Sequence, residues 1–317
     1  MQVYLAPLEG ITTYVYRKAY NRYFGGVERY FTPFIVNKKL AKKEIEGILP
    51  ENNPDMVLVP QIMSNRAEDF IEVAREIATY GYDTVNLNLG CPSGTVVSKK
   101  RGAGFLACPD ELDVFLSEVY EKCPMKISIK TRIGLEAEKE WGKILSIYEK
   151  YPMEELIIHP RLRSDFYKGP IRMEAFGEAI ERINVPICYN GELNSVADAE
   201  QIKDTFPQID RVMIGRGVLR RPDLILQIRG EKVSEEDMIK RLSSFHDEIF
   251  EGYRNIMSGD RNTLFKMKEL WSYMGESFEG ADTYLKQIKK ANRLIEYENA
   301  VNAIFRDCSF PKTMVKF

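Results

Sequence analysis

At 317 residues and 44% hydrophobic, the chain can build one large core and a smaller second one, and its composition excludes a disordered or fibrous protein. Lys and Arg (45) nearly balance Asp and Glu (47), so the net charge of −2 excludes a global field that draws in nucleic acid, and any basic surface must be local. Five scattered cysteines without CxxC or paired-His spacing argue against zinc and disulfides and for a reducing cytosol, and neither an export signal in MQVYLAPLEG nor a run of about 18 apolar residues is found.

In chain order, short β-rich runs occur at VYLA (3–6), RYFTPFIV (29–36), MVLVPQ (56–61), TVNLNL (84–89), KISIK (126–130), ELIIH (155–159), PICYN (186–190) and RVMIG (211–215). Helical patterns separate most of them. In AEDFIEVAREIATYG (67–81), Phe70, Val73, Ala74 and Ile77 follow the spacing of one helix face, and 111–122 and 138–151 look alike. Eight strand–helix units over about 230 residues predict an α/β fold, a (β/α)8 TIM barrel, for which about 250 residues is typical. A doubly wound sheet is the alternative, but it would neither require eight units nor set the polar strand ends around one ring.

After Gly230 the β-rich runs stop, and Ser234 followed by Glu235, Glu236 and Asp237 has the form of a helix N-cap with an acidic first turn. Helical patterns continue to about residue 306. The expected organisation is a catalytic barrel over 1–230 and a small all-helical domain over 231–317, packed together without a flexible linker.

The last residues of the predicted strands are Pro7 and Glu9, Gln61, Asn88 and Cys91, Lys130 and Arg132, His159, Asn190 and Glu192, and Gly215 with Arg216. Any one polar strand end is ordinary, since strand ends face solvent. Seven together describe a barrel mouth, where enzymes of this fold assemble their catalytic groups. A phosphate site in such barrels often follows strands seven and eight, here NGELNS (190–195) and IGRGVLRRP (214–222). Gly191, Gly215 and Gly217 would let backbone N–H groups approach an anion and Arg216 would supply a fixed fork, so a phosphorylated ligand is expected. His246, in the helical SSFHDEIF, suits an ordinary surface or interhelical role.

The segments APLEGITTYVYR (6–17), QIMSNRAEDF (61–70), NLNLGCPSGTVVSKKRGAGFL (86–106), IKTRIG (129–134), HPRLRSDFYKG (159–169), NGELNS (190–195) and VMIGRGVLRRP (212–222) resemble those of the tRNA-dihydrouridine synthases, most specifically in Asn-x-Gly-Cys-Pro and the GAG after it. The resemblance implies an FMN enzyme that reduces a tRNA uridine, in the D-loop if the compact bacterial members are the guide, using NADPH or NADH and no metal. By the same resemblance Pro7, Leu8 and Glu9 would lie against the flavin and Gln61 and Lys130 at its polar edge. His159, Asn190, Gly191, Glu192, Gly215 and Arg216 would hold the ribityl chain and phosphate. Cys91 would protonate uracil C5 opposite a hydride arriving at C6, while Asn88, Lys130 and Arg132 would read the uracil edge. An ordinary thiol, titrating near about 8.5, is mostly protonated at neutral pH, as an acid must be.

Two departures stand out. Leu8 replaces the family's usual Met, a volume-conserving change, and HPRLRS replaces the usual His-Gly-Arg-Thr, which leaves Arg161 and Arg163 without assigned roles. For RNA, Lys286, Lys289, Lys290 and Arg293 are spaced as four cations on one helical face, and Lys99, Lys100 and Arg101 add a patch beside the Cys91 loop. Two other readings stay open at this point: a flavin barrel acting on a free pyrimidine, as in dihydroorotate dehydrogenase-like proteins, and an RNA-binding protein that has lost catalysis.

Overall fold

Period-two alternation decides which way each strand residue faces. In β5 (Thr84–Leu89), Val85, Leu87 and Leu89 turn outward to the helices while Asn86 and Asn88 turn inward. The same parity in β6 (Lys126–Arg132) sends Ile127 and Ile129 outward and Ser128 inward to meet Asn86. All strands run parallel, and the computed structural model, which describes residues 1–311, arranges them as a nine-stranded sheet flanked by helices. The end of the expected helical domain, 312–317, lies outside the described residues.

Every β-rich run of the sequence contributes a strand: β1 (Gln2–Leu5), β2 (Arg29–Phe31), β7 (Leu156–His159), β8 (Ile187–Tyr189) and β9 (Arg211–Ile214) complete the set around β5 and β6. The third run gives two pieces, β3 (Leu58–Val59) and β4 (Gln61–Ile62), because Pro60 has no N–H to continue a ladder. These pieces occupy the two ends of the sheet order, so the barrel closes across a single proline. Around that seam the Gln61 N–H donates to Thr32 Oγ1 at 2.9 Å and the Asn86 N–H to the Pro60 carbonyl at 2.9 Å. Within the run 29–36 only Arg29–Phe31 is strand, and Ile35 returns as one bridge to Ile62.

The barrel interior is layered. Tyr4, Ala6, Phe31, Val59, Ile157, Cys188 and Met213 form their own apolar cluster. At the N-terminal end, fully buried Glu155 accepts from Tyr4 Oη and from Arg211 Nη1, each at 2.9 Å. Outside, the helix Ala67–Ala78 buries Phe70, Val73, Ala74 and Ile77, the face its spacing predicts. All five cysteines are free thiols.

Beyond the barrel come helices Glu235–Ile256, Asp260–Met274, Asp282–Lys290 and Leu294–Asp307. Ser234 caps the first of them, its hydroxyl accepting from the Asp237 N–H at 3.1 Å. This helix docks on the barrel helix Tyr14–Tyr23, with Phe245 edge-on to Tyr16, Tyr20 and Phe24 at 5.6, 6.2 and 5.2 Å. His246 is buried between helices, its Nε2 2.5 Å from Tyr297 Oη, which also accepts from Trp271 Nε1. None of the described helices is long and apolar enough to cross a membrane.

Candidate active site

Cys91 sits just past the end of β5, where Gly90 and Pro92 turn the chain across the barrel mouth. Four hydrogen bonds fix that turn. The Asn88 side-chain carbonyl accepts from both the Gly90 and Cys91 N–H groups at 3.0 Å; Arg132 Nε donates to the Gly90 carbonyl at 3.0 Å; and the Ala103 N–H donates to the Cys91 carbonyl at 3.1 Å. The last of these explains the GAG segment. A Cβ on Gly102, whose φ is +54°, would lie 3.0 Å from Cys91 Cβ, and one on Gly104 would lie 2.7 Å from the Val97 backbone. Burial pushes the Cys91 thiol above its usual range, outweighing the Ser93 backbone hydrogen bond and the nearby Arg132 charge that favour the thiolate.

Asn88 owes its orientation to a one-way chain of donors inside the barrel. Its Nδ2 donates to Gln61 Oε1 at 2.7 Å, Gln61 Nε2 to Asn86 Oδ1 at 2.7 Å, and Asn86 Nδ2 to Ser128 Oγ at 2.8 Å. Gln61, expected at the flavin edge, is fully buried and has its amide committed to this chain. Asn88, expected on the uracil, reaches the cavity but commits its carbonyl to the Cys91 turn.

The cavity at the barrel mouth brings together Pro7, Leu8, Glu9, Asn88, Cys91, Lys130, Arg132, His159, Asn190, Gly191, Gly215 and Arg216. Its wall is cationic. Burial, with the adjacent Arg132 charge, lowers the Lys130 ammonium to about 8. Burial and the charges of Arg132, Lys130, Arg161 and Arg216 keep His159 neutral, well below the usual imidazole range. Glu192 is missing from the cavity lining and instead braces two of these cations, accepting from Arg161 Nη2 at 2.8 Å and from Arg216 Nη2 at 3.3 Å. Burial opposes its ionisation, but the two arginines win and its carboxyl lies below the usual range. Asn190 is likewise occupied, donating to the Met213 carbonyl at 2.8 Å.

Arg161 and Tyr167 are site residues that the sequence left without a role. Arg161 lines the cavity beside His159, buried, with its Nε donating to the Gly169 carbonyl at 2.7 Å. Tyr167 lies under Arg216 at 4.6 Å and Arg132 at 5.4 Å, and stacks with His159 at 6.2 Å. The run HPRLRSDFYKG was the available signal.

Among the three glycines expected at a phosphate, only Gly215 has room for a Cβ, which would make ordinary van der Waals contact with Ala6 Cβ at 3.4 Å. The others serve packing. A Cβ on Gly191 would fall 2.0 Å from Tyr189 Oη, and one on Gly217 would fall 1.9 Å from the Leu193 carbonyl oxygen. Gly217→Ala therefore destabilises the fold by about 2–4 kcal/mol, since backbone rather than a flexible side chain must move. Its chemical denaturation midpoint checks this, and a wild-type midpoint would refute it.

The expected RNA patches are placed differently. Lys286, Lys289 and Lys290 are exposed on the helix Asp282–Lys290, but that helix ends there and Arg293 is the extended cap residue of the next one. Arg293 is therefore off the shared face, and it pairs with Glu296 at 2.6 Å. Near Cys91, Lys99 is exposed, Lys100 pairs with Glu111 at 2.9 Å, and Arg101 Nε donates to Asn65 Oδ1 at 3.3 Å.

The family model described as Dihydrouridine synthase (Dus) matches residues 4–309. The chain is 25% identical to the tRNA-dihydrouridine(16) synthase of Escherichia coli (strain K12), covering 96% of this chain and 98% of that protein. It is 26% identical to tRNA-dihydrouridine synthase B of Pasteurella multocida (strain Pm70), covering 75% and 71% respectively. Among solved structures, morphinone reductase shares the barrel with a TM-score of 0.53 at 14% identity, over 77% of this chain and 88% of that one. The chain belongs to the dihydrouridine synthase family, and it is an oxidoreductase that makes dihydrouridine in tRNA.

Proposed function

We propose that the cavity holds FMN and a flipped tRNA uridine, and that Cys91 is the acid that completes reduction of the uracil ring. The observation that carries this reading is a thiol kept protonated and fixed by Asn88, Arg132 and Ala103 over a cationic cavity. The donor set fits the cofactor. Lys130, Arg132, Arg161 and Arg216 face the mouth against two carboxylates, Glu9 in the lining and Glu192 shared between the last two arginines, so an anionic, electron-rich ligand completes the charge balance.

Pro7 and Leu8 would offer the ring an apolar wall, Lys130 would meet its polar edge, and Gly215 with Arg216 would hold the phosphate. Bound FMN, reduced by NADPH or NADH, supplies a hydride to uracil C6. Cys91 then delivers the thiol proton to C5, so that one hydride and one proton add across the C5=C6 bond, and the thiolate regains its proton from solvent. Glu192 keeps both guanidiniums pointed at the anion, and Asn190 and His159 are donors and acceptors held in place by burial.

We infer that the barrel (1–230) is the catalytic unit and that the helical part (231–317) receives the tRNA body, with Lys286, Lys289 and Lys290 as phosphate contacts and Lys99 and Arg101 beside the mouth. Modification at position 16 of the D-loop is favoured because the relatives that match over 95% and 96% of the chain, helical part included, carry that position in their names.

The test is direct. Purified protein carries flavin absorbance and, with NADPH and unmodified tRNA, forms dihydrouridine at position 16 by mass mapping. Turnover of free uracil or orotate without tRNA, or dihydrouridine confined to another position, would count against the reading.

A further inference from the structure

Phe166 is an L-residue held at φ +49°, a conformation that bulky side chains rarely adopt and that glycine would take without strain. The loop around it is pinned rather than loose. Arg132 Nη2 donates to the Phe166 carbonyl at 2.7 Å, the Phe166 N–H donates to the Arg163 carbonyl at 3.1 Å, and Asp165 accepts from the Leu162 N–H at 2.8 Å while pairing with Arg172. Yet the ring so held is 45% exposed, so core packing does not explain it.

The position of the ring supplies a reason. Tyr167 turns into the cavity under Arg216, whereas Phe166 lies over Arg163 at 5.0 Å, and Arg163 Nε donates to the Pro92 carbonyl, the residue after Cys91, at 3.2 Å. A rigid, cation-backed aromatic face therefore stands just outside the mouth, on the Cys91 side. We propose that Phe166 is a stacking platform for a tRNA base flanking the uridine that enters the cavity. Single-stranded RNA is recognised chiefly by such stacking, and a base next to a flipped nucleotide has lost one of its own stacking neighbours. The proposal rests on the cavity being the uridine site.

Holoenzyme carrying Phe166→Ala, Phe166→Gly or Phe166→Trp is compared with wild type using an unmodified tRNA transcript and NADPH. Both ring-deleted variants raise the Kd and KM for tRNA by about 5- to 100-fold, the span for loss of one base–aromatic stack, with kcat within about twofold. Phe166→Trp keeps wild-type affinity, and Phe166→Gly melts above Phe166→Ala because it relieves the positive φ. FMN content and tRNA-independent NADPH oxidation stay at wild-type levels in all variants; these two readouts test the cavity reading separately. Wild-type tRNA affinity in the Ala and Gly variants overturns the proposal. So does a KM increase for NADPH instead of tRNA, loss of FMN, or a Trp variant as weak as Ala.

Discussion

Cys91→Ala lowers dihydrouridine formation by about 10²- to 10⁴-fold, the usual worth of a positioned general acid, while leaving FMN bound and NADPH-dependent flavin reduction intact. The two half-reactions separate because Cys91 sits on a turn held by Asn88, Arg132 and Ala103, whereas the part of the cavity proposed for the phosphate is lined by Gly215 and Arg216. Full turnover of tRNA by the variant would remove Cys91 from the mechanism. The pH dependence carries a definite sign. In the proposed mechanism the protonated thiol is the active form, and burial raises its pKa, so the rate holds through neutrality and falls only above the ordinary thiol range. A rate that falls below pH 8, in the wild type but not in a Cys91→Ser variant, would mean that the thiol ionises too early to act as the acid.

Arg132→Leu produces the largest loss of stability, roughly 3–5 kcal/mol, because it strands three backbone carbonyls. Its guanidinium, 1% exposed, donates to Gly90 at 3.0 Å, Leu162 at 2.8 Å and Phe166 at 2.7 Å, and so ties the Cys91 turn to the loop after β7. Burial lowers its pKa to about 10, which still leaves it charged near neutrality. Arg132→Lys recovers little, since one ammonium cannot span carbonyls that a planar fork reaches in three directions. Equilibrium denaturation of the two variants measures this. If both unfold like the wild type, Arg132 is a free substrate contact as its place at a strand end suggested, and the tie is incidental.

That contrast marks the limit of reading strand ends. Lys130, His159 and Arg216 can be recognised as mouth residues from position alone, and each lines the cavity. Gln61, Asn88 and Glu192 have the same strand-end signature, yet their polar groups are committed to protein partners, and Asn190 donates its side-chain N–H to the Met213 carbonyl. Sequence position tells where a side chain is, whereas its free hydrogen-bonding capacity depends on what another strand brings alongside. Arg161 was obscured for a related reason: Pro160 broke the familiar motif, while the contact that defines its role reaches Glu192, 31 positions away. Arg293 was misplaced on a shared helical face because four-residue spacing continues past a helix end that the chain itself marks only weakly.

By itself, the sequence determined the alternation of strands and helices, the closure into eight units, the inward face of TVNLNL and KISIK, and the thiol at a strand terminus. These follow from local rules, since side-chain direction in a strand has period two and helix faces have period 3.6. Only the tertiary structure decided that the barrel seals across Pro60, that Gly191 and Gly217 are packing residues, and that an amide chain from Ser128 to Asn88 holds the Cys91 turn. Each of those depends on atoms distant in sequence meeting within hydrogen-bond or van der Waals range, and that is settled by how the strands come into register.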